Sequence, residues 1–458
     1  MSQVQTLQQQ LPELEIHAER SSLQVYGQDW TRFRQPDPLA IVFPRNIQQL
    51  QALVRLARRE KLALVPSGGR TGLSGGAVAA AGEVVVSFEK MRRISGFNAT
   101  ESSVQVEAGV VTQALQAYAA EQGLFYPISF AAEGSSQIGG NIATNAGGIR
   151  VLRYGLTRDW VSGLTVVTGT GEILELNRGL IKNSSGYDLR HLFIGSEGTL
   201  GFIVEATIGL SKPPPPQTVM LLACESMNAV MSLFHNAQQQ LQLSAFEFFS
   251  DKALSYVCQH RELSQVLENA APFYALCEFD SNENAALTVF EQGFTDGHLL
   301  DGVISQSAAQ AAELWQYREG ISESITSFTP YKNDLSVRVA KVPEFMQELD
   351  HLVLNNYPDF EVIWFGHIGD GNLHMNVLKP EAMEIAQFEQ TCKMVSHDVY
   401  QLVEKYSGSV SAEHGIGLLK RDALRYCRSP EEINILRQMK QVFDPDNIMN
   451  PGKLLSDE

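Results

Sequence analysis

The sequence predicts an α+β protein built from two domains. The chain has 458 residues, of which 44% are apolar, and this is more than one ordinary hydrophobic core accommodates. Short strand-like runs dominate residues 1–212, whereas longer helical patterns alternate with strands after residue 217. Four consecutive prolines separate the two parts, and proline fits neither a helix interior nor a central strand.

The first part of the chain combines an amphipathic helix with several short strands. Residues 44–59, PRNIQQLQALVRLARR, place apolar residues at positions 47, 50, 53, 54 and 57, a spacing that predicts a helix. The runs EVVVSF, SSVQVEAG, LTVVTGTGEILEL and GFIVEATIGL each predict a strand. We therefore expect one domain over residues 1–215.

The second part begins after the proline run, KPPPPQ, at residues 212–217. The stretches NAVMSLFHNAQQQL and AAQAAELWQYREGISESI predict helices, and FYALCEF and EVIWFGH predict strands. This pattern predicts a second α+β domain over residues 216–410. The segment FDPDNIMNPGKLL near the end suits a tail packed on another surface, so we expect residues 411–458 to return to the first domain.

Composition excludes several classes of protein. The net charge is −17, from 35 basic and 52 acidic residues, and no block of Lys or Arg occurs, which disfavours nucleic acid and anionic membranes as partners. The five cysteines form no CxxC pair and indicate free thiols in a reducing compartment. A secretory leader and a membrane-spanning run are both missing from the sequence, so we expect a soluble, cytoplasmic protein.

Three glycine-rich segments occur within the first domain: PSGGRTGLSGG at 66–76, EGSSQIGGNIATNAGG at 133–148 and GSEGTLG at 195–201. Glycine lets the backbone approach a ligand closely, and consecutive N–H groups in such loops can surround a pyrophosphate. A single cluster of this kind is most simply a tight turn, but three in one domain favour a dinucleotide. The patterns GxGxxG and GxxxxGK[ST] are absent, which argues against an NAD-binding fold of the common type and against a P-loop ATPase.

The stretch FGHIGDGNLHMN, residues 365–376, predicts a β-hairpin that brings two histidines together. Asp-Gly between alternating apolar runs is a strong hairpin signal. With Asp370 and Gly371 as the two loop residues, His367 lies opposite His374, close enough for both to bind one metal ion. Asn376 projects from the same face as His374. The alternative is that these are two unrelated surface histidines.

A third segment, SVSAEHGIGLLKR, adds Glu413 and His414 to this interpretation. A His-His-Glu set suits Zn²⁺ or a similar divalent ion with coordination positions left for a substrate. Adjacent residues cannot both point the same way along a strand. One of the two residues is therefore expected to bind metal and the other to act as a base.

The segment YREGISESITSFTPYKND offers Arg318, Ser322 and Lys332 as substrate-binding residues. Arg318 and Ser322 are four positions apart, so on a continuous helix they share a face and could bind one carboxylate together. The alternative for any single Arg or Lys on a polar helix face is a solvated charge.

The glycine-rich motifs, together with GLIKNSSGYDLRHLFIGSEGTLG and the closing NPGK, resemble the FAD-binding domain of flavoproteins of the vanillyl-alcohol oxidase type. The resemblance implies that six residues of the first loop hold the pyrophosphate: Ser67, Gly68, Gly69, Thr71, Gly72 and Ser74. It implies that seven residues of the second loop line the flavin: Gly134, Ser135, Gly140, Asn141, Thr144, Gly147 and Gly148. Ile203 is implied on the adenine side, and Asn450 belongs to the closing motif. The first loop contains no His or Cys, so we expect FAD to be bound non-covalently.

The motifs HIGDGNLH and AEHGIG resemble those of FAD-linked 2-hydroxy acid dehydrogenases. This resemblance covers nearly the whole chain and implies a two-part FAD-binding domain with an α+β substrate, or cap, domain that contains an antiparallel sheet. It implies three metal ligands, His367, His374 and Glu413, and it assigns the catalytic base to His414. By the same comparison, four residues bind the substrate: Arg318, Ser322, Lys332 and Asn376.

The implied reaction is oxidation of an R-configured 2-hydroxy acid to the 2-oxo acid, with hydride transfer to FAD. Arg318 and Lys332 would pair with a second carboxylate, which favours D-2-hydroxyglutarate, with D-malate as a further substrate, over a monocarboxylate. The alternatives are a D-lactate or glycolate dehydrogenase flavin subunit and a non-redox flavin-dependent synthase. With no NAD fingerprint or iron-sulfur cysteine set in the sequence, we expect an external electron acceptor, either an electron-transfer flavoprotein or a quinone. The sequence is compatible with a homodimer but does not specify one.

Overall fold

The computed structural model describes residues 2–31, 34–264 and 266–456. The chain divides into two compact units. Unit 1 contains the residues up to Gly148, then Gly155–Pro213, and finally the chain from Glu413 onward. Unit 2 contains Ile149–Tyr154 and Pro214–Ala412.

Unit 1 contains two sheets and mostly short helices. Its strands are β1 (Glu15–His17), β2 (Ala40–Phe43), β3 (Leu64–Ser67), β4 (Val84–Ser87), β5 (Ile94–Asn98), β6 (Ser103–Glu107), β7 (Val161–Thr168), β8 (Ile173–Leu176) and β9 (Gly201–Gly209). Its helices are α1 (Gln3–Gln10), α2 (Arg20–Tyr26), α3 (Ile47–Glu60), α4 (Thr112–Glu121), α5 (Ile138–Thr144), α7 (Thr157–Trp160), α8 (Arg190–Phe193) and α16 (Pro430–Phe443), with a 3₁₀ helix at Arg421–Tyr426. One sheet has the order β1-β2-β4-β3, in which β2, β4 and β3 are parallel, and the other is antiparallel with the order β5-β6-β9-β7-β8.

The helix predicted at residues 44–59 is confirmed as α3, and local chemistry explains its bounds. The Asn46 side chain accepts a hydrogen bond from the Gln49 N–H at the start, and Lys61 ends the helix with φ 53°. Leu50, Leu53, Val54, Leu56 and Ala57 are buried in the core around the first sheet. Strands β2 and β4 are buried at every position, as expected of parallel strands covered on both faces.

Unit 2 is built on one seven-stranded sheet in which all pairs are antiparallel, with the order β13-β10-β12-β11-β15-β16-β14. Its strands are β10 (Gln217–Cys224), β11 (Leu243–Ser250), β12 (Phe273–Asp280), β13 (Asp301–Ile304), β14 (Tyr331–Ser336), β15 (Val362–Gly366) and β16 (Asn372–Val377). Its helices are α6 (Val151–Tyr154), α9 (Met227–Gln240), α10 (Asp251–Arg261), α11 (Glu283–Thr295), α12 (Ala308–Glu319), α13 (Ile321–Ser324), α14 (Val342–Asn356) and α15 (Ile385–Lys405), with 3₁₀ helices at Thr326–Phe328 and Val339–Lys341. The antiparallel sheet predicted for the cap domain is therefore present.

The continuous helix predicted over AAQAAELWQYREGISESI is wrong in one respect, because it is interrupted at Gly320. Helix α12 ends at Glu319 and α13 begins at Ile321. A Cβ on Gly320 would lie 2.4 Å from Cγ2 of Val257, so α10 packs against the bare backbone at this point. Gly320 keeps helical angles, φ −71° and ψ −15°.

The predicted hairpin register is also wrong. His374 pairs with Phe365 instead of His367, and the His367 carbonyl oxygen accepts the Asn372 N–H at 3.2 Å. The loop therefore has four residues, 368–371, where two were predicted. The loop is longer because Gly369 donates its N–H to the Phe246 carbonyl oxygen, at 2.9 Å, and so anchors it to β11.

Within the described chain, no helix combines the length and the apolar character needed to cross a lipid bilayer.

Candidate active site

The three glycine-rich loops of unit 1 gather at one place. A Cβ on Gly69 would lie 2.0 Å from the Ser135 carbonyl oxygen, so the first and second loops are in direct backbone contact. A Cβ on Gly68 would lie 3.9 Å from Cα of Gly140. Glycine is required at Gly69 because any side chain would collide with backbone atoms.

The third loop and the closing NPGK motif join the same cluster. Glu197 donates its N–H to the Ala143 carbonyl oxygen at 2.8 Å, which ties the third loop to the end of α5. The Asn450 side-chain amide donates to the carbonyl oxygens of Gly76, at 2.9 Å, and Glu197, at 2.7 Å. Motifs separated by almost 400 residues in the sequence therefore meet in unit 1.

The gathered loops present unused polar groups, as a dinucleotide site requires. Within the described residues, the buried atoms Ser67 Oγ, Gln137 Oε1 and Asn450 Oδ1 have no hydrogen-bond partner. A buried polar atom left unpaired costs about 1–3 kcal/mol, so such atoms favour a bound polar ligand. Apart from its own chain neighbours and helix backbone, no described residue has an atom within 4 Å of an ideal Cβ on Gly140, which leaves space beside α5. The residues present therefore fit FAD.

The other predicted FAD-binding residues differ in their contacts and in their positions in the fold. Asn141 donates its side-chain amide to the Thr112 hydroxyl at 2.7 Å, and the Thr144 hydroxyl donates to the Gly140 carbonyl oxygen at 3.1 Å. Ile203 lies in β9 and packs in the core of unit 1. Gly140 lies in α5. The rest lie outside the helices of the first and second glycine-rich segments: Gly68, Gly69, Thr71, Gly72, Ser74, Gly134, Ser135, Gly147 and Gly148.

In unit 2, the sheet register collects polar side chains on one face. Lys332 of β14 is opposite Asn376 of β16, and Asp334 is opposite His374. On the other side of β16, His374 is opposite Phe365 of β15. Directly opposed residues and residues two apart on a strand share a face. These side chains therefore form a polar patch within an otherwise apolar sheet.

The two predicted histidines are neighbours on this face in spite of the register error. His374 pairs with Phe365, and His367 lies two positions after Phe365. Residues two apart face the same side of a strand, so His367 and His374 still share a face. The ring centroids of His367 and His374 are 5.4 Å apart, with an interplanar angle of 84°. Both residues are buried, at 8% and 6% exposure. Two exposed, unrelated histidines are thus excluded.

A buried glutamate that the sequence analysis missed contacts His367. Glu247 on β11 is 1% exposed, and its Oε1 lies 2.9 Å from Nδ1 of His367. Its Oε2 lies 2.8 Å from Nη2 of Arg318, which is also buried. The Arg318 guanidinium stacks 4.8 Å above the ring of Phe365. The predicted substrate-binding arginine and a predicted metal ligand therefore share one carboxylate.

A second missed carboxylate, Asp334, is completely buried beside His374. Its Oδ1 lies 3.7 Å from Nδ1 of His374. Asp334 also accepts hydrogen bonds from the Asn372 amide, at 3.0 Å, and from the Ser411 hydroxyl, at 3.2 Å. These contacts fix the carboxylate in place.

The chain leaves unit 2 beside Asp334. The Ala412 N–H donates to the Asp334 carbonyl oxygen at 3.3 Å, and Glu413 and His414 follow directly. Within unit 2, Asp334 and His374 each offer a possible metal-ligand atom. Within unit 1, Glu413 and His414 do the same, and Oε1 of Glu413 lies 3.7 Å from Nε2 of His414. Carboxylate oxygens and imidazole nitrogens suit Zn²⁺ and similar ions. The types of residue present therefore fit a divalent metal ion.

Glu197 in the third glycine loop holds the segment that follows His414. Its two carboxylate oxygens accept the N–H groups of Ile416 and Gly417, each at 2.7 Å. Burial raises the pKa of Glu197, and these two hydrogen bonds oppose the rise by stabilising the carboxylate. The loop that carries Glu413 and His414 is thus fixed at its far side by a residue of the FAD-binding motifs.

The remaining predicted substrate-binding residues lie near the polar face. Lys332 donates from Nζ to the Ser322 hydroxyl at 3.1 Å, and burial lowers the pKa of Lys332. Asn376 is buried, and its amide makes two long hydrogen bonds, 3.4 and 3.5 Å to carbonyl oxygens. Within the described residues, Nε of Arg318 is buried without a hydrogen-bond partner. Such underused donors suit a carboxylate ligand.

Both missed carboxylates had a signal in the sequence. Glu247 is the only charged residue in the strand LSAFEFFS, every position of which is buried. Asp334 occurs in the alternating run YKNDLS, where it would face the same side as Lys332. A charge within a buried strand is expected to be paired, and it therefore indicates a site.

The comparisons with known proteins agree with this geometry. The chain matches a family model of an FAD binding domain over residues 38–177, and one of FAD linked oxidases, C-terminal domain, over residues 213–454. D-2-hydroxyglutarate dehydrogenase of Stutzerimonas stutzeri (strain A1501) is 55% identical over 445 residues, 96% of each chain. The protein of that name from Xanthomonas citri pv. viticola is 54% identical over 453 residues, 98% of this chain and 96% of the relative. The solved structure of p-cresol methylhydroxylase with bound substrate has a TM-score of 0.77 at 13% identity, covering 99% of this chain and 96% of that one.

The two family models and the two relatives define an FAD-dependent oxidoreductase, and the fold of the chain is similar to that of p-cresol methylhydroxylase. The chain belongs to the D-2-hydroxyglutarate dehydrogenase family. The fold class, the FAD-binding domain and the enzyme class predicted from the sequence are therefore confirmed.

Proposed function

We propose that the protein oxidises D-2-hydroxyglutarate, and D-malate as a further substrate, to the corresponding 2-oxo acid. The observation that carries this proposal is the buried polar face of unit 2. It combines two histidines with two cationic side chains, Arg318 and Lys332. A 2-hydroxy dicarboxylate has the matching features: a hydroxyl beside one carboxylate, and a second carboxylate at the other end.

Three residues are proposed to bind a divalent metal ion, Zn²⁺ or a similar ion: His367, His374 and Glu413. The close approach of the two imidazole rings supports the assignment of His367 and His374, and Glu413 offers a carboxylate, which is also a common zinc ligand. A bound ion of this kind supplies a Lewis acid that lowers the pKa of the substrate hydroxyl. Asn376, two positions beyond His374 on the same face, is proposed to orient the polar end of the substrate.

Arg318, Ser322 and Lys332 are proposed to bind the second carboxylate. Arg318 Nε is unused, and Lys332 is half-buried with only a hydroxyl as its partner among the described residues. A carboxylate here would receive charge-assisted hydrogen bonds and would restore the stability of the Lys332 ammonium. A monocarboxylate substrate would leave these groups unpaired.

His414 is proposed as the base that removes the hydroxyl proton. Imidazole titrates closer to neutral pH than any other side chain, and His414 is held in a fixed loop. FAD, bound non-covalently by the glycine loops and Asn450, supplies the acceptor for the hydride from C2. The electrons then pass to an external acceptor, an electron-transfer flavoprotein or a quinone, which the missing NAD fingerprint and iron-sulfur motif support.

An anaerobic absorbance titration of the purified flavoprotein tests this function. We expect D-2-hydroxyglutarate to bleach the flavin band near ~450 nm and L-2-hydroxyglutarate to leave it unchanged. Treatment with EDTA should abolish the bleaching, and added Zn²⁺ should restore it. Bleaching by D-lactate or glycolate alone would retain the chemistry but contradict the substrate. A flavin that no 2-hydroxy acid bleaches would indicate the non-redox alternative.

A further inference from the structure

We propose that Glu247 is a positioning residue that holds the metal ligand His367 and the substrate-binding residue Arg318 in one fixed arrangement. This inference rests on the proposed function and deepens it. Glu247 lies in the middle of β11, is 1% exposed, and contacts both His367, which directly follows β15, and Arg318 of α12.

The contact with His367 determines which imidazole nitrogen is available. A carboxylate only accepts hydrogen bonds, so Nδ1 of His367, at 2.9 Å from Glu247 Oε1, must carry the proton. Nε2 then keeps its lone pair and can bind a metal ion. A carboxylate behind a metal-binding histidine also fixes the ring orientation and raises its basicity.

Glu247 also holds the Arg318 guanidinium, here through an ion pair, because neither Nη2 of Arg318 nor Oε2 of Glu247 makes a hydrogen bond within the described residues. Nη2 of Arg318 lies 2.8 Å from Glu247 Oε2, and its planar group stacks on Phe365 at 4.8 Å. Two constraints on a rigid planar group leave little rotation. The unpartnered Nε is therefore presented in a fixed direction. Glu247 also supplies the negative charge that makes burial of Arg318 tolerable in the absence of substrate.

The same sheet contains a matched residue that lacks the histidine contact. Glu278 on β12 is 4% exposed and pairs with Arg150 at 2.8 Å. It is opposite Ala245, two positions before Glu247 on β11, so the two glutamates face the same side of the sheet. A purely structural role predicts similar consequences for both residues, whereas a positioning role predicts a difference.

The test compares Glu247→Gln with Glu278→Gln in the flavin-loaded full chain after removal of metal. At position 247, glutamine has one accepting oxygen, but His367 and Arg318 both present donors to this side chain. The variant therefore loses one of these two contacts. Titration with Co²⁺, followed by its visible absorption, and competition by Zn²⁺ give the metal affinity. We expect Glu247→Gln to weaken metal binding about 10–100-fold and to raise the KM for D-2-hydroxyglutarate, while Glu278→Gln keeps the wild-type metal affinity.

Equal metal affinity in Glu247→Gln and the wild type, or an equal loss in both variants, would overturn the inference. If Glu247→Gln is not recovered in folded form, Glu247→Asp replaces it, because the shorter side chain keeps the charge but withdraws the acceptor. That variant should also bind metal more weakly than the wild type, and wild-type affinity would overturn the inference. Failure of the wild type to bind either metal would instead contradict the proposed metal site.

Discussion

Burial disfavours the charged form of some side chains in the site, and a ligand of opposite charge would stabilise that form. Lys332 is the clearest example, because burial lowers its pKa and its partner among the described residues is the Ser322 hydroxyl. The unfolded chain binds a proton here more tightly than the folded chain does. In wild type, stability should therefore rise with pH between the folded-state and the unfolded-state pKa of Lys332.

We predict that Lys332→Met stabilises the substrate-free protein and impairs substrate binding. Stability should increase because an imperfectly paired ammonium is removed from a half-buried position. The KM for D-2-hydroxyglutarate should rise at least ~10-fold, since a charge-assisted hydrogen bond contributes about 1.5–3 kcal/mol. Thermal unfolding without substrate and steady-state kinetics measure the two effects. Lys341→Met, at a lysine half exposed beside Glu344, serves as the control and should change neither.

Asp350 on α14 allows a pH-dependent prediction away from the site. Burial raises its pKa to about 6, although the nearby His351 opposes the rise. Ionisation of Asp350 therefore lowers the free energy of unfolding. This loss of stability is absent below the pKa of Asp in the unfolded chain, about 3.9, grows as pH rises, and is complete above the pKa of Asp350 in the folded chain. Asp350→Asn should therefore stabilise the protein at pH 8 by about 1–2 kcal/mol and by about half as much at pH 5. Denaturant unfolding at both pH values measures this, with the exposed Asp359→Asn as control; an equal gain at both pH values would contradict it.

At the residue scale, the sequence identified the proposed ligand and substrate-binding residues, because their types and spacing are unusual. It missed the buried carboxylates that contact them. His367, His374, Glu413 and Arg318 stand in recognisable motifs, because their chemistry is uncommon at such spacing. Glu247 becomes meaningful only when the register brings β11 beside β15. That pairing joins residues 120 positions apart, and no local pattern encodes it.

At the scale of the elements, periodicity predicted the helices and strands but not the details that tertiary contacts decide. The Asp-Gly signal located the hairpin of β15 and β16, yet it favoured a loop two residues too short. The side-chain orientation survived because strands repeat every two residues. A one-residue error would have placed the two histidines on opposite faces of the sheet.

Gly371 is the position on which this hairpin depends most. Its φ is 85°, and a Cβ would lie 2.2 Å from the Val337 carbonyl oxygen. We predict that Gly371→Ala destabilises unit 2 by about 1–3 kcal/mol or more and weakens metal binding, since the loop between the two histidines must shift. Denaturant unfolding and Co²⁺ titration measure these effects.

Gly297 provides the control for this substitution. It has φ 74°, and beyond its chain neighbours no atom of the described chain lies within 4 Å of an ideal Cβ, so Gly297→Ala introduces the backbone strain without the collision. We expect a smaller loss of stability there and unchanged metal binding. Similar losses of stability and of metal binding in both variants would show that the close approach of Gly371 to the Val337 carbonyl oxygen does not determine either property.

At the scale of the whole molecule, the chain does not form its two units from two consecutive stretches. Residues 149–154 leave unit 1 directly after the second glycine loop and form α6 within unit 2. Arg150 of this excursion makes a two-pronged contact with the buried Glu278, at 2.8 and 3.1 Å, and Arg153 pairs with Asp280. The change in composition at the proline run indicated the main boundary between the units. Residues 149–154 are too few to change the local composition, so the sequence did not indicate that they belong to unit 2.

The last prediction concerns how strongly unit 2 depends on these six residues. Arg150→Met leaves Glu278, 4% exposed, with the Trp315 indole N–H at 3.0 Å as its remaining partner. Because breaking a buried ion pair costs about 3–5 kcal/mol, the variant should unfold at clearly lower denaturant concentration. Arg150→Met combined with Glu278→Met should recover much of this loss, since no buried charge is left unpaired. Arg153→Met is the control, because its pair with Asp280 is partly exposed and should contribute about 1 kcal/mol or less. If Arg150→Met costs no more than Arg153→Met, the excursion is a connection between units and not a structural part of unit 2.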